Sequence, residues 1–405
     1  MNSEQLFHIA LQLQAPWQVK QINFEESEKG KTLTIQIDYP KGSKFSNTKG
    51  ELCSLYDSHK RRWQHLNFFE YRCIIESTVP RIIDSQGKVS TVQVPWAREG
   101  SGFTLAFEAL IMGLIESEMP VKRVGKLLGI NPDRVWTIFH YWVDQAVATD
   151  TCETLTQLGI DETSAKRGHK YITVGVDLQQ SRVVGVVEGK SKTSVDDMCK
   201  LLKKKGAAAQ QIAEVSMDLS PAFISGVQKT FTNASITFDR FHVVKLLNEA
   251  MSAVHRSERQ AHAELKGHKY TFVRNRNTLS DKQEESLTRF VGAYPFLGEA
   301  YRLKTLFNDV WSMPTQEKAR SFLVSWCEEA KHLGHTAFTK FAHTVLAHLE
   351  GIVRFVRTKM SNGVLEGINS KIQLAKRRAR GFRSLSTFMS MVYFLCGKMK
   401  FNYPH

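Results

Sequence analysis

The chain has 405 residues, room for two or three domains and a sizeable core. Lys and Arg total 55 against 40 Asp and Glu, a formal net charge of +15 that makes polyanions the default partners. With 42% hydrophobic and 23% charged residues the composition excludes a disordered or fibrous chain, and the most apolar stretches, 109–115 and 389–396, fall short of the ~20 residues that cross a bilayer. Six cysteines (Cys53, Cys73, Cys152, Cys199, Cys327, Cys396) form no disulfide framework and no secretory leader opens the sequence. A cytoplasmic protein with reduced thiols and no membrane partner is expected.

Residues 1–100 read as a small β-rich domain. Leu33, Ile35 and Ile37 alternate with Thr32, Thr34 and Gln36, and 88–94 is β-prone with a less regular alternation. Cys53, His59, His65 and Cys73 are residue types that ligate zinc, but no Cys-x-x-Cys pair is present. Between them, Lys60, Arg61, Arg62, Trp63, Gln64 and His65 are read either as a grip on phosphates, with Arg61 and Arg62 as contacts, or as a solvated loop.

Residues 101–150 change character. Phe103, Phe107, Leu110, Ile111 and Leu114 share helical spacing, and the run 120–136 resembles a helix-turn-helix. Gly129 is expected to end one helix in the left-handed conformation, Asn131 to cap the next and Pro132 to open it, over a core of Val124, Leu127, Leu128, Ile130 and Val135. Lys122, Arg123 and Arg134 are then candidate DNA contacts.

From 151 to 245 the pattern becomes β-β-β-α-β-α-β. Strands are expected at 158–162, 171–178, 182–187, 213–218 and 234–238, with turns at 167–169 and 179–181 and helices capped by Ser194 and begun at Pro221. That is the order of an RNase H-like core. Residues 246–355 read as a helical insertion, with amphipathic spacing in Leu303, Leu306, Phe307 and Val310 and in Phe322, Leu323, Trp326 and Leu333. Residues 356–405 return to the core with a helix over 365–376 and the basic run 376–383.

In such a core the middle of the first strand and the end of the fourth lie side by side, so Asp161 and Asp218 are expected to project toward one another, and two anions that close repel unless divalent cations neutralise them. Carboxylate and water ligands suit magnesium or manganese, and two such ions activate a water or 3′-hydroxyl and stabilise the leaving oxygen of a phosphodiester. Glu366 is the candidate third ligand, opening a helix whose later turns carry Lys371, Lys376, Arg377 and Arg378, with Arg380 beyond, as candidate phosphate contacts. An acidic first turn and cationic last turn also suit an ordinary surface helix through its dipole.

Taken in order, Trp63-Gln-His-Leu-Asn67, Val94-Pro-Trp-Ala-Arg98, Gly159-Ile-Asp-Glu162, Met217-Asp-Leu-Ser-Pro221, Phe238-Asp-Arg-Phe-His-Val243, Ser361-Asn362 with Glu366, and Lys376-Arg-Arg-Ala-Arg-Gly-Phe-Arg383 resemble the DDE transposases of the ISL-three type, a bacterial insertion-sequence family. The resemblance implies an α/β protein with a catalytic and metal-binding triad of Asp161, Asp218 and Glu366, and a magnesium cofactor. Asp239 and His242 stand as supporting residues, because strand order favours Asp218 over Asp239 as the second ligand. The implied partners are terminal inverted repeats and target DNA, met by a homodimer on the bacterial nucleoid. The family's N-terminal module carries cysteine pairs where this chain has Pro40-Lys-Gly-Ser-Lys-Phe45 and Ile83-Asp-Ser-Gln-Gly87, which leaves a degenerate zinc-ribbon-like domain and puts structural zinc in doubt. The basic residue often found seven positions after the Glu is here Gln373. A catalytically silent helix-turn-helix regulator of transposase descent, and a structure-selective nuclease, are the rival readings.

Overall fold

The computed structural model describes residues 2–28, 30–166, 170–358 and 363–403, which places the 167–169 turn and the Ser361-Asn362 pair outside the described residues. It falls into two compact units, Met1–Val143 with Lys400–His405, and Asp144–Met399.

In the first unit, helix α1 (Ser3–Ala10) precedes a mixed sheet of β1 (Gln18–Ser27), β2 (Gly30–Asp38), β3 (Phe45–Ser46), β4 (Leu52–Gln64), β5 (Arg72–Ile83) and β6 (Val89–Thr91). The spatial order is β1-β2-β5-β4-β3, with β6 beside β5. The alternation at 32–39 is realised in β2. Leu33, Ile35 and Ile37 enter a core shared with Trp63 of β4 and with Cys73 and Ile75 of β5. Two local expectations are corrected. The basic-aromatic run is no loop, because Trp63 is drawn into the core and residues 60–64 complete β4. The 88–94 run contributes only the short β6, and Val92 and Val94 are buried beyond its end.

Helices α2 (Leu105–Glu116), α3 (Val121–Leu128) and α4 (Pro132–Thr149) follow. The turn between the last two is built as its residues dictate. Gly129 ends α3 at φ 64°, and Asn131 Oδ1 accepts the Asp133 N–H at 2.8 Å before α4 opens at Pro132. The turn is tight enough that a Cβ on Gly125 would lie 2.8 Å from the Ile130 carbonyl oxygen. Val121, Val124 and Val135 are buried, whereas Leu127, expected in this core, is 61% exposed because it lies off the stripe formed by Val121, Val124, Gly125 and Leu128. Glu108 of α2 is 0% exposed. Its carboxylate accepts from Arg98 Nε at 2.9 and 3.0 Å, Ser101 Oγ at 2.6 Å and Trp142 Nε1 of α4 at 2.9 Å. The Arg98 guanidinium lies 4.1 Å from the Tyr141 ring centre, so one acid fastens the segment before α2 to two helices.

The second unit is a five-stranded sheet in the order β11-β10-β7-β8-β9, built from β7 (Gln157–Lys166), β8 (Lys170–Asp177), β9 (Arg182–Glu188), β10 (Glu214–Met217) and β11 (Ser235–Phe238). The first three strands run antiparallel, while β10 pairs parallel with β7 and β11 parallel with β10. Helix α5 (Lys192–Lys204) links β9 to β10, and α6 (Pro221–Thr230) links β10 to β11. The cap of α5 is Ser191, with the expected Ser194 as its reciprocal partner one turn on. Lys205, just past the end of α5, is buried on Asp150 at 2.8 Å and the Val184 carbonyl at 2.9 Å.

After β11 come α7 (Arg240–Ala261), α8 (Lys269–Val273), α9 (Asp281–Ala293), α10 (Pro295–Phe307), α11 (Gln316–His332), α12 (Thr336–Ala347) and α13 (Leu349–Thr358). Leu303, Phe307, Val310, Leu323 and Trp326 are buried as their spacing predicts, in a core continuous with that of the sheet. Val310 sits in a 3-10 turn following α10. Gly351 of α13 lies so close to Phe238 of β11 that a Cβ there would meet the ring at 2.4 Å. Helices α14 (Gly363–Arg378) and α15 (Leu385–Cys396) close the unit, and the Tyr393 hydroxyl accepts the Val186 N–H of β9 at 2.9 Å.

Candidate functional site

Strand register brings the two aspartates together. Ser216 of β10 pairs with Gly159 of β7, and Asp218 and Asp161 lie two residues further along strands running in the same direction. Two residues is one full pleat, so both side chains leave the sheet on one face at one level. Asp239 follows Phe238, the partner of Met217, and its own N–H donates to the Met217 carbonyl at 2.9 Å, one strand further out.

Each of these carboxylates is held differently. Asp161 accepts the Glu162 N–H at 2.7 Å, and Asp218 accepts the Ser220 N–H at 3.0 Å in a local turn. Asp239 caps α7 through the Phe241 N–H at 2.9 Å and binds His242 Nδ1 at 2.7 Å. Burial holds the Asp161 carboxyl above the usual carboxylate range, opposed by its hydrogen bonds to Glu162 and Asn369 and by the charge of His242, and reinforced by the charge of Asp218. The Asp239 hydrogen bond raises the His242 pKa despite burial, and the charges of Asp239, Asp218 and Asp161 all add to this. Asp161, Asp218 and His242 thus share one electrostatic neighbourhood, to which Asp239 contributes through the imidazole.

Helix α14 docks on β7 through polar side chains that the sequence reading did not single out for this. Asn369 Nδ2 donates to Asp161 Oδ2, Gln373 Nε2 to Thr163 Oγ1 at 2.8 Å, and Lys376 Nζ to the Ser164 carbonyl at 2.6 Å. The spacing i, i+4, i+7 is one helix face laid along one strand, a pattern visible in the sequence once the partner strand is known. Leu365 packs against Gly159, where a Cβ would meet its methyl carbons at 3.2 Å, so the glycine beside Asp161 lets the helix approach. Glu366 stands three residues before Asn369 in the first turn of α14 and is exposed. Among the described residues no group of three His, Cys, Asp or Glu side chains is gathered to hold a metal ion. By donor chemistry the aspartate pair suits a hard divalent cation, and Glu366 is not gathered with it.

Three of the four zinc-type residues of the first unit have other occupations, and the fourth, His59, is exposed on β4. Cys53 and Cys73 are core residues of β4 and β5, and burial pushes the Cys73 thiol up to about 12. His65 Nδ1 pairs with Thr104 Oγ1 at 2.9 Å, and burial holds the ring down to about 4.

Comparison with known families decides what carries this site. Residues 158–392 match a family model described as a transposase, and residues 92–143 match the helix-turn-helix domain of transposase family ISL3. The chain belongs to the ISL3 family of transposases. It is 27% identical to the transposase for insertion sequence element IS1557 of Mycobacterium tuberculosis, with 96% of this chain and 95% of the relative aligned. It is 26% identical to the transposase for insertion sequence element IS1001 of Bordetella parapertussis, with 92% and 94% aligned. Both relatives are named as transposases and neither as a regulator.

The expected DNA contacts of this transposase fall into two groups. In the first unit Arg62, Lys122, Arg123 and Arg134 are exposed, and Arg61 is half-buried 5.4 Å from the Trp63 ring centre. In the second, Lys371, Arg377, Arg378 and Arg380 are exposed, whereas Lys376 is engaged on β7. No helix among the described residues is long and apolar enough to cross a membrane.

Proposed function

We propose that this transposase cuts DNA at the ends of an insertion sequence and joins the freed 3′-hydroxyl to target DNA. The catalytic carboxylates are Asp161, Asp218 and Glu366 of an RNase H-like core. The strand and helix order of the second unit, with its two parallel strands added beside an antiparallel three, supports that core. The observation that carries the reading is the level pairing of Asp161 with Asp218, together with the Asn369 contact that ties Asp161 to the helix bearing Glu366.

The chain's own residues prepare the site. Asn369 and the Glu162 N–H orient Asp161. Asp239 raises the protonated share of His242, which places positive charge beside the two aspartates and a donor within reach of a phosphate oxygen. Magnesium or manganese, held by the Asp161 and Asp218 carboxylates, would supply charge to the phosphodiester oxygens and activate a water or hydroxyl nucleophile. The β-sheet and helix-turn-helix recognise terminal inverted repeats through the basic residues of the first unit, and two copies hold the two ends in a soluble bacterial nucleoprotein complex.

The deciding assay incubates purified protein with labelled duplex bearing the DNA that flanks its own gene, in magnesium, in manganese and in EDTA, with Asp161→Ala in parallel. Metal-dependent nicking that the variant loses while still binding the ends is the expected result. Cleavage retained by Asp161→Ala would remove these carboxylates from the chemistry.

A further inference from the structure

The first unit contains a basic notch of about 380 Å³ built from two elements that the family match does not join. Its walls include Thr32 of β2, Arg62 and Gln64 of β4, Arg72 of β5, Gly102 and Arg134 in the first turn of α4. The sheet residues are there by register. Thr32 pairs with Arg72, Gln64 with Ile74 and Arg62 with Glu76, so they share the face opposite the one that sends Leu33, Cys73 and Trp63 into the core. The helix-turn-helix side is fixed by backbone hydrogen bonds, since Gln64 N donates to the Gly102 carbonyl at 2.9 Å and Thr104 N to the Gln64 carbonyl at 3.0 Å. Gly102 lies beside the guanidinium, since a Cβ built there would stand 3.9 Å from an Arg134 terminal nitrogen, an ordinary contact.

The charges in the notch do not balance. Arg62 is offset by Glu76, 3.3 Å from its Nε. Arg72 donates to the neutral Gln64 Oε1 at 2.7 Å, and Arg134 lies 5.3 Å from the Phe103 ring centre. Among the described residues neither has a carboxylate within ion-pair distance. Cations converging on one concavity repel until an anion sits between them, and planar guanidinium forks match the tetrahedral oxygens of a phosphate. Exposed Lys122 and Arg123 on α3 extend the positive surface beyond the notch, which a polyanion exploits and a free phosphate does not.

We propose that the notch holds one backbone phosphate of duplex DNA, with Arg72 and Arg134 as its paired ligands. The β-sheet and the helix-turn-helix then grip the same strand at a fixed spacing. The proposal deepens the functional reading and rests on the helix-turn-helix unit binding DNA.

The test uses the full chain and the duplex flanking its gene, with affinity followed over a range of salt. Arg72→Ala and Arg134→Ala are each expected to weaken binding about tenfold, the size of one charge-assisted contact, and to lower the salt slope by about one. The double variant is expected to be little worse than either single one, because both lose the same phosphate. Walking a single neutral methylphosphonate linkage along the duplex should cost the parent protein affinity at one position and cost both variants nothing there. Both side chains are exposed, so unchanged melting temperatures confirm that the variants fold. If the parent binds DNA and both variants match it in affinity and slope, the notch is no phosphate site and the DNA reading survives. If the parent shows no salt-dependent binding, both fall. If inorganic phosphate raises the melting temperature of the parent but not of the double variant, while DNA affinity is the same in both, the notch belongs to a free anion and the proposal is overturned.

Discussion

Two acids in this transposase show how the same group serves as scaffold in one place and, on the function proposed above, as chemistry in another. Glu108 is fully buried, but a guanidinium, a hydroxyl and an indole N–H converge on it, and its charge is spent on fastening helices. Asp161 is half-buried, receives one backbone N–H and one neutral amide, and faces the like charge of Asp218. Among the described residues no cation is ion-paired to it, and the nearby positive group is His242, already bonded to Asp239. A buried carboxylate matched by its own protein is structural, whereas one left in want of positive charge has a use for it.

That contrast is open to direct attack. The largest effect expected is on catalysis, where Asp161→Asn should reduce end cleavage by roughly four orders of magnitude with end binding intact, measured by single-turnover nicking. Next, Glu108→Ala should cost about 3 kcal/mol of stability, because the partly buried Arg98, Ser101 and the Trp142 indole all lose their common partner. Urea unfolding reads this, and the matching loss should appear in DNA binding without any change in the chemistry of folded protein. Asn369→Ala should slow cleavage by about 10- to 100-fold, the usual size for a residue that orients a metal-binding carboxylate, and should raise the divalent-ion concentration needed for half-maximal rate. An unchanged metal requirement would reduce Asn369 to a packing residue.

The smallest effect is one of pH. Asp161 titrates above its unfolded value, so the folded state holds a proton there longer than the unfolded chain. Its contribution to stability therefore falls as pH rises through its folded pKa. His242 is also raised, and its stabilisation is complete below its unfolded pKa and lost as pH rises through the folded one. The part of the melting profile that these two groups control should thus fall from about pH 4 upward through neutrality in metal-free protein kept in EDTA. Asp161→Asn should flatten the acidic part of that profile and melt higher than the parent at pH 7, read by thermal unfolding of the two proteins side by side.

What was legible in the sequence was what local chemistry dictates. Gly129, Asn131 and Pro132 specify the turn of the helix-turn-helix almost without help from packing, and the order of β7 to β11 follows from alternation and turn residues. The level of Asp161 with Asp218 was readable because parallel neighbours share direction. The docking of α14 was not, since Asn369, Gln373 and Lys376 look like a solvated polar face until β7 is set beside them. Glu108 was hidden for the opposite reason, an acid inside an apolar helix whose partners come from Arg98, Ser101 and Trp142. The loop reading of 60–65 failed because one residue, Trp63, outweighs the polar character of its neighbours once a core is near. Leu127 shows the converse, a large apolar residue left in solvent by its angle around α3.

The Gly351 contact with Phe238 means that the seven helices between β11 and α14 must be laid down before the last of them can seat against the strand that precedes Asp239. Only then does α14 reach β7. Ribosomes add about 5–20 residues per second, so the residues of the helix-turn-helix emerge on the order of ten seconds or more before those that bring Asn369 to Asp161. The helix-turn-helix is thus on hand while the second unit is still being made.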